Sequence, residues 1–164
     1  MVDAVTGPLD YRANGLDIHV ATSVLSTFDA RRQTRFYHRE AGGQLFGHAG
    51  RSSWVVARAT GPDRADRRCR FGFRPDRARE QREIHEFHAL GFDYLGDWHT
   101  HPEGTPEPSS RDSTSIGEIA RQSTHHLSGF LLCIVGHSPF PRGLWLSFHT
   151  REGVVVVATS RCLS

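Results

Sequence analysis

The sequence predicts an α/β (α+β) domain in which helices pack on one mixed β-sheet. Short apolar runs, several with period-two alternation, are interrupted by segments with helical spacing through the first two-thirds of the chain. The last third instead holds three apolar runs in close succession, GFLLCIVG, GLWLSFHT and EGVVVVAT. Helices between some strands and none between others give a mixed sheet with helices laid on it.

Taken in order, residues 1–15 are rich in turn formers and predict a loosely structured lead-in to a single domain spanning 1–164. LDIHV (16–20) alternates as a strand does. ATSVLSTFDARRQ (21–33) follows as a helix with Val24, Leu25 and Phe28 as its apolar side. GGQLFGH (42–48) and SWVVARAT (53–60) read as strands joined by a glycine-containing hairpin loop. The polar segment 61–70 predicts an exposed connection, and RFGF a short strand. A helix is expected over 75–91, with Pro75 at its start and Gly91 at its end. FDYLGDWHTH (92–101) is the next strand, and a helix runs from Ser109 to about Ser123 before the three closing strands.

Composition narrows the function classes. At 164 residues the chain can bury a real core. No run of about 18 apolar residues exists, which predicts no membrane-spanning helix. The opening MVDAVTGPLDY lacks the basic and apolar regions of a secretory leader. Cys69, Cys133 and Cys162 are far apart and form no CxxC pair, which points to free thiols in a reducing, cytoplasmic compartment. Cys133, inside FLLCIV, reads as a core residue and not as a nucleophile.

The net charge of +2 does not call for nucleic acid. Every basic residue is Arg, with no Lys. Composition leaves open whether this reflects a GC-rich genome or avoidance of lysine-directed conjugation. Arginines over 64–82 alternate with acids such as Asp66, Glu80 and Glu83, which predicts a solvated, ion-paired face, with a site for an acidic partner as the alternative. His85 and His88 do not make a metal helix. The His-Glu-x-x-His pattern would need its second ligand at Ala89, so both histidines are expected in solvent.

The stretch GDWHTHPEGTPEPSSRD (96–112) is different. His99 and His101 are two residues apart at the end of a strand, so they project from one face about 6.5–7 Å apart at their α-carbons. Two imidazoles so placed can share an ion. A catalytic zinc typically takes three protein ligands and keeps one position for water, and Asp112 is the candidate third. Pro102, Pro106 and Pro108 limit the conformations of the intervening loop. Ser109 and Asp112 equally fit a helix cap in which the serine oxygen accepts a backbone N–H. Spacing alone does not separate the two readings.

H-x-H-P followed by six residues and S-x-x-D resembles the signature of the JAMM (JAB/MPN) zinc metalloproteases, here as His99, His101, Pro102, Ser109 and Asp112. An upstream glutamate before a glycine-rich strand completes that pattern, and REAGGQLFG supplies it as Glu40. The likeness spans roughly Glu40 to Val157. With Asp97 and Trp98 before the first histidine it looks more like the prokaryotic branch, including JAB proteins of CBASS-type antiphage operons.

The resemblance implies a mixed curved β-sheet flanked by helices, in the cytidine-deaminase-like architecture of that family. It implies Zn²⁺ held by His99, His101 and Asp112, Glu40 as catalytic base and Ser109 as donor to the carbonyl oxygen. It implies hydrolysis after the C-terminal glycine of a ubiquitin-like protein, which is then the expected partner. No nucleic acid and no membrane are required. Sulfur-carrier processing at the same centre, or a non-catalytic scaffold, are the alternatives the family offers.

Overall fold

The computed structural model describes residues 7–122 and 126–161. Its first strands, β1 (Leu9–Ala13) and β2 (Leu16–Val20), form a hairpin, followed by α1 (Thr22–Asp29). β3 (Gly42–Ala49) and β4 (Ser53–Ala59) lead to a small pair, β5 (Arg67–Cys69) and β6 (Gly72–Arg74). Then come α2 (Arg77–Ala89), β7 (Asp93–Thr100) and α3 (Ser110–Gln122). The chain closes with β8 (Gly129–Val135), β9 (Leu144–Thr150), β10 (Val155–Val157) and β11 (Thr159–Ser160).

All strands except β5 and β6 join one nine-stranded sheet in the order β10-β9-β8-β7-β3-β4-β2-β1-β11. Pairing is parallel for β2–β4 and β7–β8 and antiparallel elsewhere. The two edge strands, β10 and β11, are consecutive in the chain with only Ala158 between them. A sheet whose opposite edges are one residue apart must curl until they nearly meet. The mixed, curved sheet with helices on it is thus the fold that forms.

β8 shows why that sheet needs helices. All seven of its residues are buried. Leu131, Cys133 and Val135 enter the main core with Val24, Leu25 and Phe28 of α1, whereas Phe130, Leu132 and Ile134 pack on Ile116 and Ala120 of α3. One period-two strand therefore feeds two cores, one on each face. Cys133 is fully buried, as expected, and burial pushes its thiol pKa up, so it stays an inert thiol. Cys69 is exposed and free, and Cys162 lies outside the described residues.

Three expectations need correction. Residues 9–13 are not a loose lead-in. They form β1, paired with β2 from Leu9↔Val20 to Ala13↔Leu16 across Asn14 and Gly15. Both turn residues have positive φ, 50° and 76°, as a two-residue primed turn requires. Segment 61–70 is not wholly an open connection, because Arg67–Cys69 pairs with Gly72–Arg74. The first helix stops at Asp29 instead of running to 33. Ala30 is its C-cap, and Gln33 turns inward to bonds described below. The end of the expected helix at Ser123 lies outside the described residues. His85 and His88 sit exposed on α2, as predicted. No helix among the described residues is long and apolar enough to cross a membrane.

Candidate active site

β7 carries the two histidines at its C-terminal end. It lies between β3 and β8, near the middle of the sheet, where both neighbours fix its position. A bulge sits partway along it: Leu45 faces Gly96 but Phe46 faces Tyr94, so Leu95 is the extra residue. Gly96 follows with φ 148°, and a Cβ there would lie 1.9 Å from the Leu131 carbonyl oxygen. Only glycine fits that approach. The bulge shifts the side-chain parity. Tyr94 and Asp97, three apart, meet on one face, with the Tyr94 hydroxyl donating to Asp97 Oδ1 at 2.6 Å. Beyond it the period of two resumes, and Asp97, His99 and His101 all line the same cleft.

The two histidines converge, with their Nε2 atoms 3.1 Å apart. Asp112, in the first turn of α3, completes the group. Its Oδ1 lies 3.2 Å from His99 Nε2 and its Oδ2 3.2 Å from His101 Nε2. Ser109 and Asp112 also make the predicted cap, reciprocally. The Ser109 N–H donates to Asp112 Oδ2 at 2.8 Å, and the Asp112 N–H donates to Ser109 Oγ at 3.2 Å. The cap and the convergence are one arrangement, because the capping bonds aim the carboxylate at the imidazoles. Ser109 Oγ spends only a lone pair on the cap, so its O–H remains available to donate into the cleft.

Glu40 arrives from the neighbouring strand. β3 pairs with β7 antiparallel, with Gly42 opposite His99. That register continues one step further. The Thr100 N–H donates to the Ala41 carbonyl at 2.8 Å, and the Ala41 N–H donates to Thr100 Oγ1 at 3.0 Å. The next step sets Glu40 beside His101, with Oε1 3.6 Å from Nε2. The main chain of Glu40 is held on both sides, its N–H donating to the Cys69 carbonyl at 2.7 Å and its own carbonyl accepting from Arg68 Nε at 2.6 Å. Glu40 is 6% exposed.

The electrostatics separate the two carboxylates. Burial would raise the pKa of Asp112, but hydrogen bonds from His101 and His99 and from the Ser109 backbone hold it far below the usual range. Glu40 moves the other way: burial raises it, and the attraction of His99 and His101 recovers only part of that shift. One carboxylate is thus fixed as an anion, while the other is held above the usual carboxylate value by burial.

The donor set fits a metal ion. His99, His101 and Asp112 each offer an atom within 4.8 Å of the others. The Nε2–Nε2 separation of 3.1 Å is close to the edge of a tetrahedron with zinc-like bonds of about 2.0–2.1 Å, roughly 3.3 Å, and each imidazole has one Asp112 oxygen at 3.2 Å. Two imidazoles and one carboxylate make a borderline-soft nitrogen and oxygen set, of the kind that zinc takes. Glu40 stands just outside the group. The surrounding cleft, about 1030 Å³, is lined by all five residues singled out in the sequence.

Across residues 23–147 the sequence matches the family of prokaryotic homologues of the JAB domain. The chain belongs to that family. A relative from Escherichia coli, named a CD-NTase/cGAS isopeptidase, is 34% identical over 113 residues, which cover 65% of this chain and 72% of the relative. A protein of the same name from Vibrio cholerae serotype O1 is 34% identical over 141 residues, 84% of this chain and 83% of that one. One from Pseudomonas aeruginosa is 35% identical over 112 residues, 63% and 67%. A protein from Desulfitobacterium hafniense, solved in solution, shares the fold with a TM-score of 0.57 at 16% identity, over 87% of this chain and 88% of that chain.

Sequence reasoning missed two parts of the site. The first is the acid pair at the cleft wall, Glu80 and Asp97. Burial, then Asp97, pushes the Glu80 pKa up to about 7 against the pull of Arg77, whose Nη1 is 3.1 Å from Glu80 Oε2. The second is the buried amide of Gln33. Its Nε2 donates to the carbonyls of His38 and Arg70, and its Oε1 accepts from Thr100 Oγ1 at 2.8 Å. Thr100, between the two histidines, points away from them and into this network. The H-T-H spacing hinted at it, but no local pattern points from Gln33 to residue 100.

Proposed function

We propose that this chain is a zinc-dependent isopeptidase of the JAB family, holding its metal with His99, His101 and Asp112. The observation that carries this reading is the convergence of those donors beside a buried glutamate, in one cleft of a chain from this family. When bound, zinc supplies Lewis acidity, acidifying water and polarising a carbonyl oxygen.

The protein's own groups handle the rest. Glu40 takes the proton of the attacking water and returns it to the departing amine nitrogen. Its raised pKa suits both halves of that task. The Ser109 hydroxyl donates to the carbonyl oxygen as negative charge develops on it. Such a donor contributes roughly 2.7–4 kcal/mol when well placed. The Gly-ending tail of the acyl partner leaves room for the carbonyl to approach, since no side chain intrudes next to the bond.

The partner is a conjugate between a tail of this kind and an amine on a target. The relatives' shared name points to a CD-NTase as one member of that conjugate, and we place it on the acyl side, where the family resemblance implies a ubiquitin-like protein. The shared name favours deconjugation over the processing of sulfur carriers.

Elemental analysis and cleavage together test the assignment. Wild type and Glu40→Gln should each carry about one zinc per chain, and His99→Ala should lose it. Cleavage of a fusion joined through a CD-NTase C terminus should fail in both variants. Wild-type turnover by Glu40→Gln would remove Glu40 as the base. Unchanged zinc in His99→Ala would remove that ligand.

A further inference from the structure

The arginines near the cleft do not share one fate. Arg77 and Arg79 on α2 are ion-paired with Glu80, Glu83 and Asp66, as a solvated charged face should be. The loop over 31–40 and the β5–β6 hairpin are different. Together they carry eight arginines and a single carboxylate, Glu40, which is buried. Only Arg32 finds an acid, Asp29. Arg31, Arg35, Arg39, Arg67 and Arg74 are exposed, and among the described residues none of them forms an ion pair.

This flank is one surface. The Arg70 side chain donates to the Arg35 carbonyl at 3.1 Å, Gln33 donates to the Arg70 carbonyl at 2.9 Å, and Arg68 bonds the Glu40 carbonyl. Burial, then the neighbouring Arg39 and Arg31, press the Arg68 pKa downward, so like charges crowd here. Asp66, the opposing charge that acts on Arg68, is already engaged by Arg79 at 3.4 Å. Three aromatic rings stand out among these cations: Phe36 is 82% exposed, Tyr37 62% and Phe71 75%. Uncompensated arginine interleaved with exposed aromatic side chains is the composition of an interface core. The flank runs directly into the cleft, because Arg67, Arg68, Phe71 and Arg74 also line it.

We infer that this flank is the docking surface for the folded body of the acyl partner, and that the body presents an acidic face beside the base of its C-terminal tail. The inference rests on the isopeptidase reading, because the cleft must receive that tail. The β5–β6 hairpin bonds the Glu40 main chain and lines the cleft, so a tail that leaves the cleft past this hairpin would bring the domain it belongs to onto the basic flank. Charge complementarity then speeds encounter and sets the tail's direction of approach.

Two substrates separate this surface from the chemistry. One is a reporter joined to full-length CD-NTase from the same genome; the other is the same reporter joined to the C-terminal tail alone. Arg31→Glu/Arg35→Glu, at exposed positions of the flank that do not line the cleft, should raise KM for the full-length substrate roughly tenfold. It should leave kcat, and cleavage of the tail substrate, near wild type. Added salt should raise the wild-type KM toward that of the variant. Arg31→Gln/Arg35→Gln should fall between the two.

The inference is overturned if KM for the full-length substrate does not move. It is also overturned if both substrates suffer equally, since the arginines would then contact the tail itself. Tight binding of a single-stranded oligonucleotide that the variant loses, with protein cleavage unmoved, would assign the flank to nucleic acid instead. Wild type that cleaves neither substrate removes the isopeptidase reading, and this inference with it. Wild type that cleaves the tail but gains nothing from the folded body removes this inference alone.

Discussion

Thr100→Val tests whether Glu40, the proposed base, is placed by the sheet or by its own loop. The substitution keeps the shape and the β-propensity of the side chain while removing one hydroxyl. That hydroxyl accepts from the Ala41 N–H at 3.0 Å and donates to Gln33 Oε1 at 2.8 Å, and Thr100 is fully buried. Both partners would be left without their bond in a place water does not reach. Each buried group so orphaned costs about 1–3 kcal/mol, so unfolding should become easier by about 2–6 kcal/mol.

For a chain of this size the melting temperature should fall by roughly 5–15 °C. The hydroxyl points away from the imidazoles, so zinc content should not change. Turnover should fall, because Ala41 precedes the ladder that holds Glu40 beside His101, and a shift of about 1 Å can cost on the order of a hundredfold. Thr100→Ser keeps both bonds and should recover most of the rate. Denaturant unfolding, elemental analysis and kcat on a single preparation give all three readings. A variant with wild-type stability and kcat would show that the Gln33–Thr100 network does not position Glu40. Loss of zinc would show that its effect reaches the ligands instead.

Other outcomes follow from single contacts. Gly96→Ala places a Cβ 1.9 Å from the Leu131 carbonyl oxygen with φ at 148°, so β7 and β8 must part. Its melting temperature should fall more than that of Gly7→Ala, where a Cβ meets nothing. Glu80, raised to about 7 when folded against about 4.5 when unfolded, binds a proton more readily in the native state. Its contribution is therefore fully present below about pH 4.5 and is lost as the pH rises through about 7. Between those values stability should decline by an amount on the order of 1–3 kcal/mol, and Glu80→Gln should flatten that slope. A slope that survives the substitution would place the titrating group elsewhere.

The fold was legible where period and burial agree. The run FLLCIV demanded a strand covered on both faces, and β8 feeds two cores. It was illegible where a strand owes its existence to a partner. LDYRA alternates Leu9, Tyr11 and Ala13 with Asp10 and Arg12, and its hairpin rests on Asn14-Gly15, a dipeptide whose positive φ angles suit a two-residue turn. That signal was present in the sequence and outweighed by the general polarity of the first residues. β6 overlaps the short strand expected at RFGF, whereas β5 carries no such mark. They are three residues each, charged, and outside the main sheet, and their pairing is visible only once Cys69 and Arg68 are seen holding Glu40.

The candidate site shows the same division between chemistry and placement. His99 and His101 were readable because a strand fixes the geometry of residues two apart, and Asp112 because a cap fixes its distance from Ser109. Glu40 could be selected only by resemblance, since no rule links residue 40 to residue 101 before the β3–β7 register is known. The arginines show the limit most clearly. In the sequence those over 64–82 look uniformly compensated by nearby acids. In the structure α2 draws Asp66, Glu80 and Glu83 to Arg77 and Arg79, and the hairpin is left with cations alone. A net charge of +2 conceals that separation, because it sums over surfaces that face different ways. The substrate-facing potential is therefore set by which acids the helix sequesters, and moving a carboxylate from α2 to the hairpin would change recognition without changing the charge of the chain.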